Sequence, residues 1–318
     1  MRADRSETKT LDVQSRVVGT HEPVLVAETL GLLALQPGMR VVDATVGAGG
    51  LAEAILERIG KDGLLIGIDR DPAMIELSRS RFRGDHRAAL FQAAFSDLAQ
   101  VIERSGTDLV DALVLDLGLN SIQLGDPARG FSFKAEGPLD MRYDPSQEVT
   151  AEQLINQVEE LALADLIYRY GGERRSRRIA RAIVRERRRE KIRDTARLAR
   201  LIERAAGARG RIHPATRTFQ ALRIAVNEEL SELETALVQA EKVLRVGGRV
   251  VVISFHSLED KIVKEYFREG ERRGSWQRLT KKPVRPSARE ERGNPRSRSA
   301  RLRAARWMGD TREGEEKK

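Results

Sequence analysis

Three short apolar segments of this chain each end in an aspartate, and that pattern constrains the fold more than any other feature. Met39-Arg40-Val41-Val42-Asp43-Ala44, Gly63 to Asp69 and Val110 to Asp116 each have the length and aliphatic content of a buried strand. Ala88 to Ala94 reads as a further strand, and helical spacing runs through Leu51 to Ile59 and Met74 to Phe82. Strands alternating with helices imply βαβ units and a parallel sheet. Ligands of such sheets bind outside the strand carboxyl ends, so the pattern predicts a crevice walled by carboxylates.

The rest of the chain divides by composition. Residues 1–20 read as a flexible lead-in, and His21-Glu22-Pro23-Val24 opens a helix running to Leu33. From about Thr150 to Gly210 the pattern is helical and arginine-rich, without a strand. Thr218 to Val243 then reads as one long helix containing Asn227-Glu228-Glu229-Leu230. Gly247 to Ser254 is a glycine turn into a buried strand, Leu258 to Phe267 a helix, and the stretch from Gly270 onward reads as irregular. The expected class is α/β: a doubly wound, mostly parallel sheet with an inserted all-helical domain. Its parts are a first half at 21–140, a basic helical insertion at 141–213, a second half at 214–270 and a basic segment at 271–318.

Charge and composition narrow the partners. The 318 residues carry a net charge of +9, which favours nucleic acid first and an anionic membrane surface second. The arginines between Arg174 and Arg217, with those from Arg296 to Arg306, are the candidate phosphate contacts, set against the plainer reading of a solvated helix face. There is no cysteine, which excludes disulfides, thiolate metal sites and a cysteine nucleophile. The four histidines, His21, His86, His213 and His256, stand far apart in sequence, so no metal is expected. No stretch is long and apolar enough to span a membrane, and a cytoplasmic protein is expected.

The first acid opens the pattern Asp43-x-Thr45-x-Gly47-x-Gly49-Gly50. Glycines let the backbone approach a ligand closely and leave N–H groups free at the start of the following helix. Such a turn serves dinucleotides and methyl donors alike. Asp69, at the second strand end, can accept the hydroxyls of a ribose. The turn lacks the third glycine of the pyrophosphate fingerprint, and Asp43 would repel a pyrophosphate while favouring a sulfonium and an ammonium. S-adenosyl-L-methionine is the better fit, with Phe95 near the adenine or in the core. After the third acid, Asp116, comes Leu117-Gly118-Leu119-Asn120-Ser121-Ile122-Gln123. An amine conjugated to a ring is a poor nucleophile, and acceptors such as Asp116 and the Asn120 side-chain oxygen would localise its lone pair. His256 is a candidate to take up the released proton, and a structural histidine is an equal reading.

Ordered motifs then make the pattern specific. The sequence resembles the RsmH/MraW family of bacterial 16S rRNA (cytosine N4)-methyltransferases. The resemblance rests on His21-Glu22-Pro23-Val24, the Asp43 to Gly50 turn, Gly67-Ile68-Asp69-Arg70-Asp71-Pro72, Arg129-Gly130-Phe131-Ser132-Phe133 and Gly137-Pro138-Leu139-Asp140-Met141-Arg142. It continues through Thr216 to Ala221, Asn227 to Leu230, Ser254 to Asp260 and Asn294-Pro295-Arg296. It implies a Rossmann-like S-adenosylmethionine-dependent methyltransferase fold acting on a decoding-centre cytosine of 16S rRNA in the small ribosomal subunit; a homodimer is open. The cofactor contacts it implies fall on Gly49, Gly50, Leu51, Asp69, Phe95, Asp116 and Gln123, beside Asp43 and Gly47. Leu51 stands where the family has histidine, and Leu119-Asn120-Ser121-Ile122 where it has Val-Ser-Ser-Pro. The rivals are a DNA amino-methyltransferase, whose Pro-Pro-aromatic signature is absent, an RNA-binding assembly factor with a vestigial pocket, and an NAD oxidoreductase.

Overall fold

A computed structural model describes residues 23–207 and 213–309; the lead-in at 1–20, and His21 and Glu22, lie outside the described residues. Helix α1 (Val26–Leu33) precedes β1 (Arg40–Asp43), α2 (Gly50–Ile59), β2 (Leu64–Asp69), α3 (Pro72–Arg81), β3 (Ala88–Gln92), α4 (Leu98–Arg104) and β4 (Val110–Asp116). Short α5 (Ser121–Gly125) leads to helices α6 (Ala151–Gln157), α7 (Glu160–Gly171), α8 (Ser176–Arg187) and α9 (Thr195–Ala206). Then come α10 (Ala215–Asn227), α11 (Glu229–Val243), β5 (Leu244–Ser254), α12 (Ser257–Arg272), β6 (Trp276–Arg278), α13 (Ala288–Gly293) and β7 (Arg301–Trp307).

The strands form one seven-stranded sheet in the order β3-β2-β1-β4-β5-β7-β6, with β1 to β5 parallel. Alternation buries both faces. Val42, Ile66, Leu113, Val250 and Val252 pack on one side with residues of α4, α11 and α12. Val41, Leu65, Val114, Val251 and Ile253 pack on the other with residues of α1 and α2. The strand order reverses between β1 and β4, which opens a crevice at their carboxyl ends. Among the described residues no helix is long and apolar enough to cross a membrane.

The segment from Gly270, expected to be irregular, instead completes the sheet. β7 pairs antiparallel with β5, with Arg303 opposite Val252, and β6 pairs antiparallel with β7. Its sequence, Arg301-Leu302-Arg303-Ala304-Ala305-Arg306-Trp307, hides the strand. Small alanines occupy covered positions, and Arg303 is buried because Asp260 accepts from its Nε at 2.7 Å. A buried, paired arginine reads as polar in any hydropathy pattern.

The expected long helix from Thr218 to Val243 is two helices, broken at Glu228, whose φ of 52° is left-handed. A non-glycine residue there costs about 1–2 kcal/mol. The Asn227 side chain answers that cost by donating to the Met141 carbonyl at 2.7 Å and accepting from the Tyr143 amide at 2.8 Å. Long-range partners override a helical pattern that reads as continuous.

Helices α6 to α9 enclose a second core. It joins Ile155, Leu163, Ile167, Ile179, Ile183, Leu198 and Ile202 to Phe131 and Leu139 before them, and to Phe219, Leu222 and Val226 of α10. The core of the helical unit therefore extends past 141–213 on both sides. The segment Gly137 to Arg142 is braced within it. Arg142 forks onto Asp140, with Nε to Oδ1 at 2.9 Å and Nη2 to Oδ2 at 2.7 Å, and this pairing holds the Asp140 carboxyl below its ordinary range against the effect of burial.

Candidate active site

The turn after β1 is shaped by glycines at positive φ, 53° at Gly47 and 83° at Gly49. A Cβ on Gly49 would lie 2.8 Å from the Phe82 ring, so Gly49 is a packing requirement behind the turn. Gly47 faces the crevice and donates its N–H to Asp69 Oδ2 at 2.9 Å. Helix α2 has no side-chain cap at its N-terminus, so its first amides are open to an acceptor in the crevice, where Gly50 and Leu51 form part of the wall. Leu51 itself is buried in the apolar layer with Ile55.

Asp69 takes a second amide, that of Asp71, on Oδ1 at 2.8 Å. Each of its oxygens keeps a lone pair for a ligand hydroxyl. Asp43 lies beneath the turn, almost fully buried, and accepts from the Thr45 amide at 3.2 Å. Asp116 lines the crevice and holds its strand end through its own N–H, which donates to Thr45 Oγ1 at 2.7 Å. Its Oδ1 is buried without a protein partner. Burial pushes the carboxyls of Asp43 and Asp69 up to about 7, with Asp69 adding to the effect on Asp43. Burial, then Asp43 and Glu259, push Asp116 up to about 8.

Asn120 and Gln123 also reach the crevice, but their amides are occupied by structure. The Asn120 oxygen caps α5 by accepting from the Gln123 amide at 2.9 Å, and Gln123 answers at the Asn120 amide. Gln123 Nε2 donates to Asp71 at 2.9 Å, beside the Arg129 guanidinium that pairs with the same carboxylate at 2.8 Å. Phe95 lines the outer part of the crevice.

The opposite wall comes from segments far away in sequence. The break at Glu228 turns Asn227 and Glu229 into the crevice beside Tyr143, while Phe255 comes from the turn after β5 and Glu259 from the first turn of α12. The C-terminal segment contributes Asn294 and Arg296. Of the aromatic side chains Phe131, Phe133 and Tyr143, which follow the third acid in sequence, Tyr143 alone is on this wall. Phe131 is buried in the helical unit, and Phe133 packs edge-on against Phe219 at 4.9 Å.

Comparison with known proteins gives the family. A model of the MraW methylase family matches residues 19–308. The chain belongs to the MraW methylase family. It is 47% identical to the ribosomal RNA small subunit methyltransferase H of Thermomicrobium roseum, over 94% of this chain and 97% of that protein. Its identity to the protein of the same name from Acidobacterium capsulatum is 48%, over 90% and 97%. Among solved structures, an rRNA methylase from Streptococcus thermophilus aligns with a TM-score of 0.44 at 11% identity, covering 90% of this chain and 98% of its own.

In this MraW methylase His256 stands behind the crevice wall. Its Nδ1 caps α12 by accepting the Glu259 amide at 3.4 Å, and its Nε2 lies 3.1 Å from Glu259 Oε1 and 4.0 Å from Glu229 Oε2. Burial lowers its pKa, but the two carboxylates outweigh that and push it up to about 9. The long cap is the contact a second ring proton would break, and in neither state does a free lone pair face the crevice. Glu229, His256 and Glu259 place donor atoms within 4.8 Å of one another, a grouping that could hold a metal ion and that the sequence spacing did not suggest. Arg223 already forks onto Glu229 at 2.7 and 2.8 Å, and Glu259 Oε2 accepts the Phe255 amide at 2.8 Å, so these carboxylates are matched by cations and amides of the chain itself.

The wall residues Asn227, Glu229, Glu232 and Glu259 were not chosen from sequence as site residues, whereas Arg296 was expected as a phosphate contact. All but Glu232 fall inside the ordered motifs, which were the available signal. Which member of each motif faces the crevice depends on the helix break and on β7.

Proposed function

We propose that this protein transfers a methyl group from S-adenosyl-L-methionine to the exocyclic N4 of a cytosine in small-subunit ribosomal RNA. The observation that carries the reading is Asp116 Oδ1, a buried acceptor without a protein partner, on the crevice wall at the switch point of the sheet. The surroundings fit the cofactor. Open amides of α2 suit its carboxylate, Asp69 its ribose, Phe95 its adenine, and the acids Asp43 and Asp116 its cationic centres. When bound, S-adenosyl-L-methionine supplies a methyl group activated on a sulfonium sulfur.

Asp116 accepts an N–H of the target amine, which localises the nitrogen lone pair and offsets the charge that grows on nitrogen. The same oxygen then takes the proton. His256 positions Glu259, whose Oε1 lies 3.1 Å from its Nε2, and does not act as the base, because it does not line the crevice. Attack at the C5 carbon of a pyrimidine needs a thiol nucleophile, and the chain has no cysteine. The relatives named above as ribosomal RNA small subunit methyltransferases supply the substrate class.

The arginines of the helical unit divide into two groups. Arg187 donates to the carbonyls of Ile155 and Val158, and Arg197 pairs with Glu186 and Glu190. On α8, Arg177, Arg178, Arg181 and Arg185 are exposed opposite Ile179, Ala180, Ile183 and Val184, with Arg181 Nε 3.5 Å from Glu160 Oε1 on α7. Residues four apart stand about 6 Å apart along a helix, a ladder suited to successive phosphates. These four are the proposed RNA face.

The test is transfer from labelled S-adenosyl-L-methionine to small subunits lacking the modification, with naked rRNA and duplex DNA as parallel substrates, followed by nucleoside mass spectrometry. N4-methylcytidine at one rRNA site supports the reading. Product on DNA alone, or a methyl group on any other atom, overturns it.

A further inference from the structure

Five acids, Asp69, Asp116, Glu229, Glu232 and Glu259, contribute to the crevice wall, against two basic side chains. Such a wall suits a cationic cofactor and repels a polyanion. Its two cations differ in how they are held. Arg70 donates to the Asn227 carbonyl at 2.9 Å and lies 3.9 Å from Glu232. The Arg296 guanidinium has no acidic partner among the described residues, and partial burial alone lowers its pKa, with no carboxylate to raise it.

The backbone that carries Arg296 is anchored. Leu25 donates its amide to Glu290 Oε1 at 2.7 Å, the Asn294 amide bonds to the Glu290 carbonyl at 2.7 Å, and the Asn294 side-chain oxygen accepts the Arg296 amide at 3.3 Å. Ser297, next in sequence, is fully buried. Arg292 and Arg298 flank the site and are exposed. The chain thus presents the Arg296 guanidinium at the crevice from an anchored stretch of backbone, with two further exposed cations close to it in sequence.

We propose that Arg296 grips the phosphodiester adjacent to the target nucleotide, with Arg292 and Arg298 continuing the track for the RNA backbone. A nucleotide swung into the crevice keeps its phosphate at the rim. A forked guanidinium there offsets the repulsion from the acidic wall and fixes the depth of the base. The cofactor carboxylate is the other anion in the system, but the open amides of α2 serve it, and a single carboxylate gives no role to Arg292 and Arg298. The inference rests on the rRNA reading given above.

The test compares the wild-type protein with Arg296→Gln and Arg296→Lys. Affinity for S-adenosylhomocysteine is measured by calorimetry without RNA, which also reports folding. KM and binding for unmodified small subunits are measured across salt concentrations. The expected result for Arg296→Gln is unchanged S-adenosylhomocysteine affinity, a subunit KM raised about tenfold, and a log K against log salt slope reduced by about 1. Arg296→Lys keeps the slope and recovers part of the KM. Lost S-adenosylhomocysteine affinity with unchanged subunit binding would assign Arg296 to the cofactor carboxylate and overturn the proposal. So would wild-type values throughout. A wild-type protein that neither binds nor methylates the subunit removes the rRNA reading itself, and this inference with it.

Discussion

Arg223 and Glu229 stand on opposite sides of the helix break and meet as a buried fork, Nε to Oε1 at 2.7 Å and Nη2 to Oε2 at 2.8 Å. The pair ties α10, whose apolar face belongs to the helical unit, to α11, which packs on the sheet. Tyr143 donates its hydroxyl to the same Oε1 at 3.1 Å. Burial raises the Glu229 pKa, but Arg223 and His256 outweigh it and hold the carboxyl at about 2. Its folded pKa is depressed, so its contribution to stability is present above the ordinary glutamate range and is lost as pH falls through about 2.

Glu229→Gln leaves the Arg223 charge buried without its partner. The expected loss is about 3–5 kcal/mol, the usual consequence of breaking a buried pair from one side. Chemical denaturation checks it. The double variant Arg223→Met, Glu229→Leu removes both charges and is expected to recover most of the stability. If the double variant is as unstable as the single one, the fork is not what the single variant lost.

Glu228→Gly relieves the left-handed backbone at the break. The Glu228 side chain is exposed, so little contact is lost, and φ is 52°. The expected outcome is a gain of about 1 kcal/mol, reduced by the greater freedom of glycine in the unfolded chain. Methyl transfer is expected to stay at the wild-type level, because Asn227 and Glu229 keep their partners. A destabilised variant would show that the side chain contributes contacts beyond its backbone strain.

The contrast between β1 and β7 shows how much of this site was legible in the sequence. Val41-Val42-Asp43 announces a strand and its carboxyl end within one short segment, and the same holds for the strands that end in Asp69 and Asp116. Local chemistry decides these positions, so local reading finds them. β7 is a strand because Asp260 neutralises Arg303 and because β5 offers a free edge, and neither fact is local to residues 301–307. Asn227 and Glu229 looked like ordinary positions of a continuous helix. They face the crevice because Met141 and Tyr143, remote in sequence, hold Asn227 out of the helical path. The acids of the crevice were therefore readable on the sheet side and hidden on the helical side.

Asp116→Asn keeps the shape of the strand end and removes the proposed proton acceptor. The expected effect is a kcat lowered by about 10²–10³, in line with loss of a charge-stabilising group. The Asp116 carboxyl stands at about 8 in the free protein, so the wild-type kcat/KM is expected to climb as pH rises toward that value while the acid ionises. The variant is expected to lose this limb of the profile. An unchanged pH profile in Asp116→Asn would place the proton acceptor elsewhere, with Glu259 next to be tested.

The raised carboxyls also couple cofactor binding to protons. Asp43 and Asp69 at about 7 and Asp116 at about 8 are largely protonated in the free protein below neutrality. Their folded pKa values lie above the unfolded ones, so their contribution to stability is full below the ordinary aspartate range and is lost as pH rises through 7 to 8. The free protein is therefore expected to melt at lower temperature at pH 8.5 than at pH 6, with His256 adding to the loss as pH approaches 9. A sulfonium and an ammonium brought among these groups favour their charged forms, so binding S-adenosyl-L-methionine is expected to release protons near pH 7. Calorimetry in buffers of different ionisation enthalpy measures that release directly. S-adenosylhomocysteine, whose sulfur is neutral, is expected to release fewer protons, and equal release by both ligands would show that the acids do not face the sulfur.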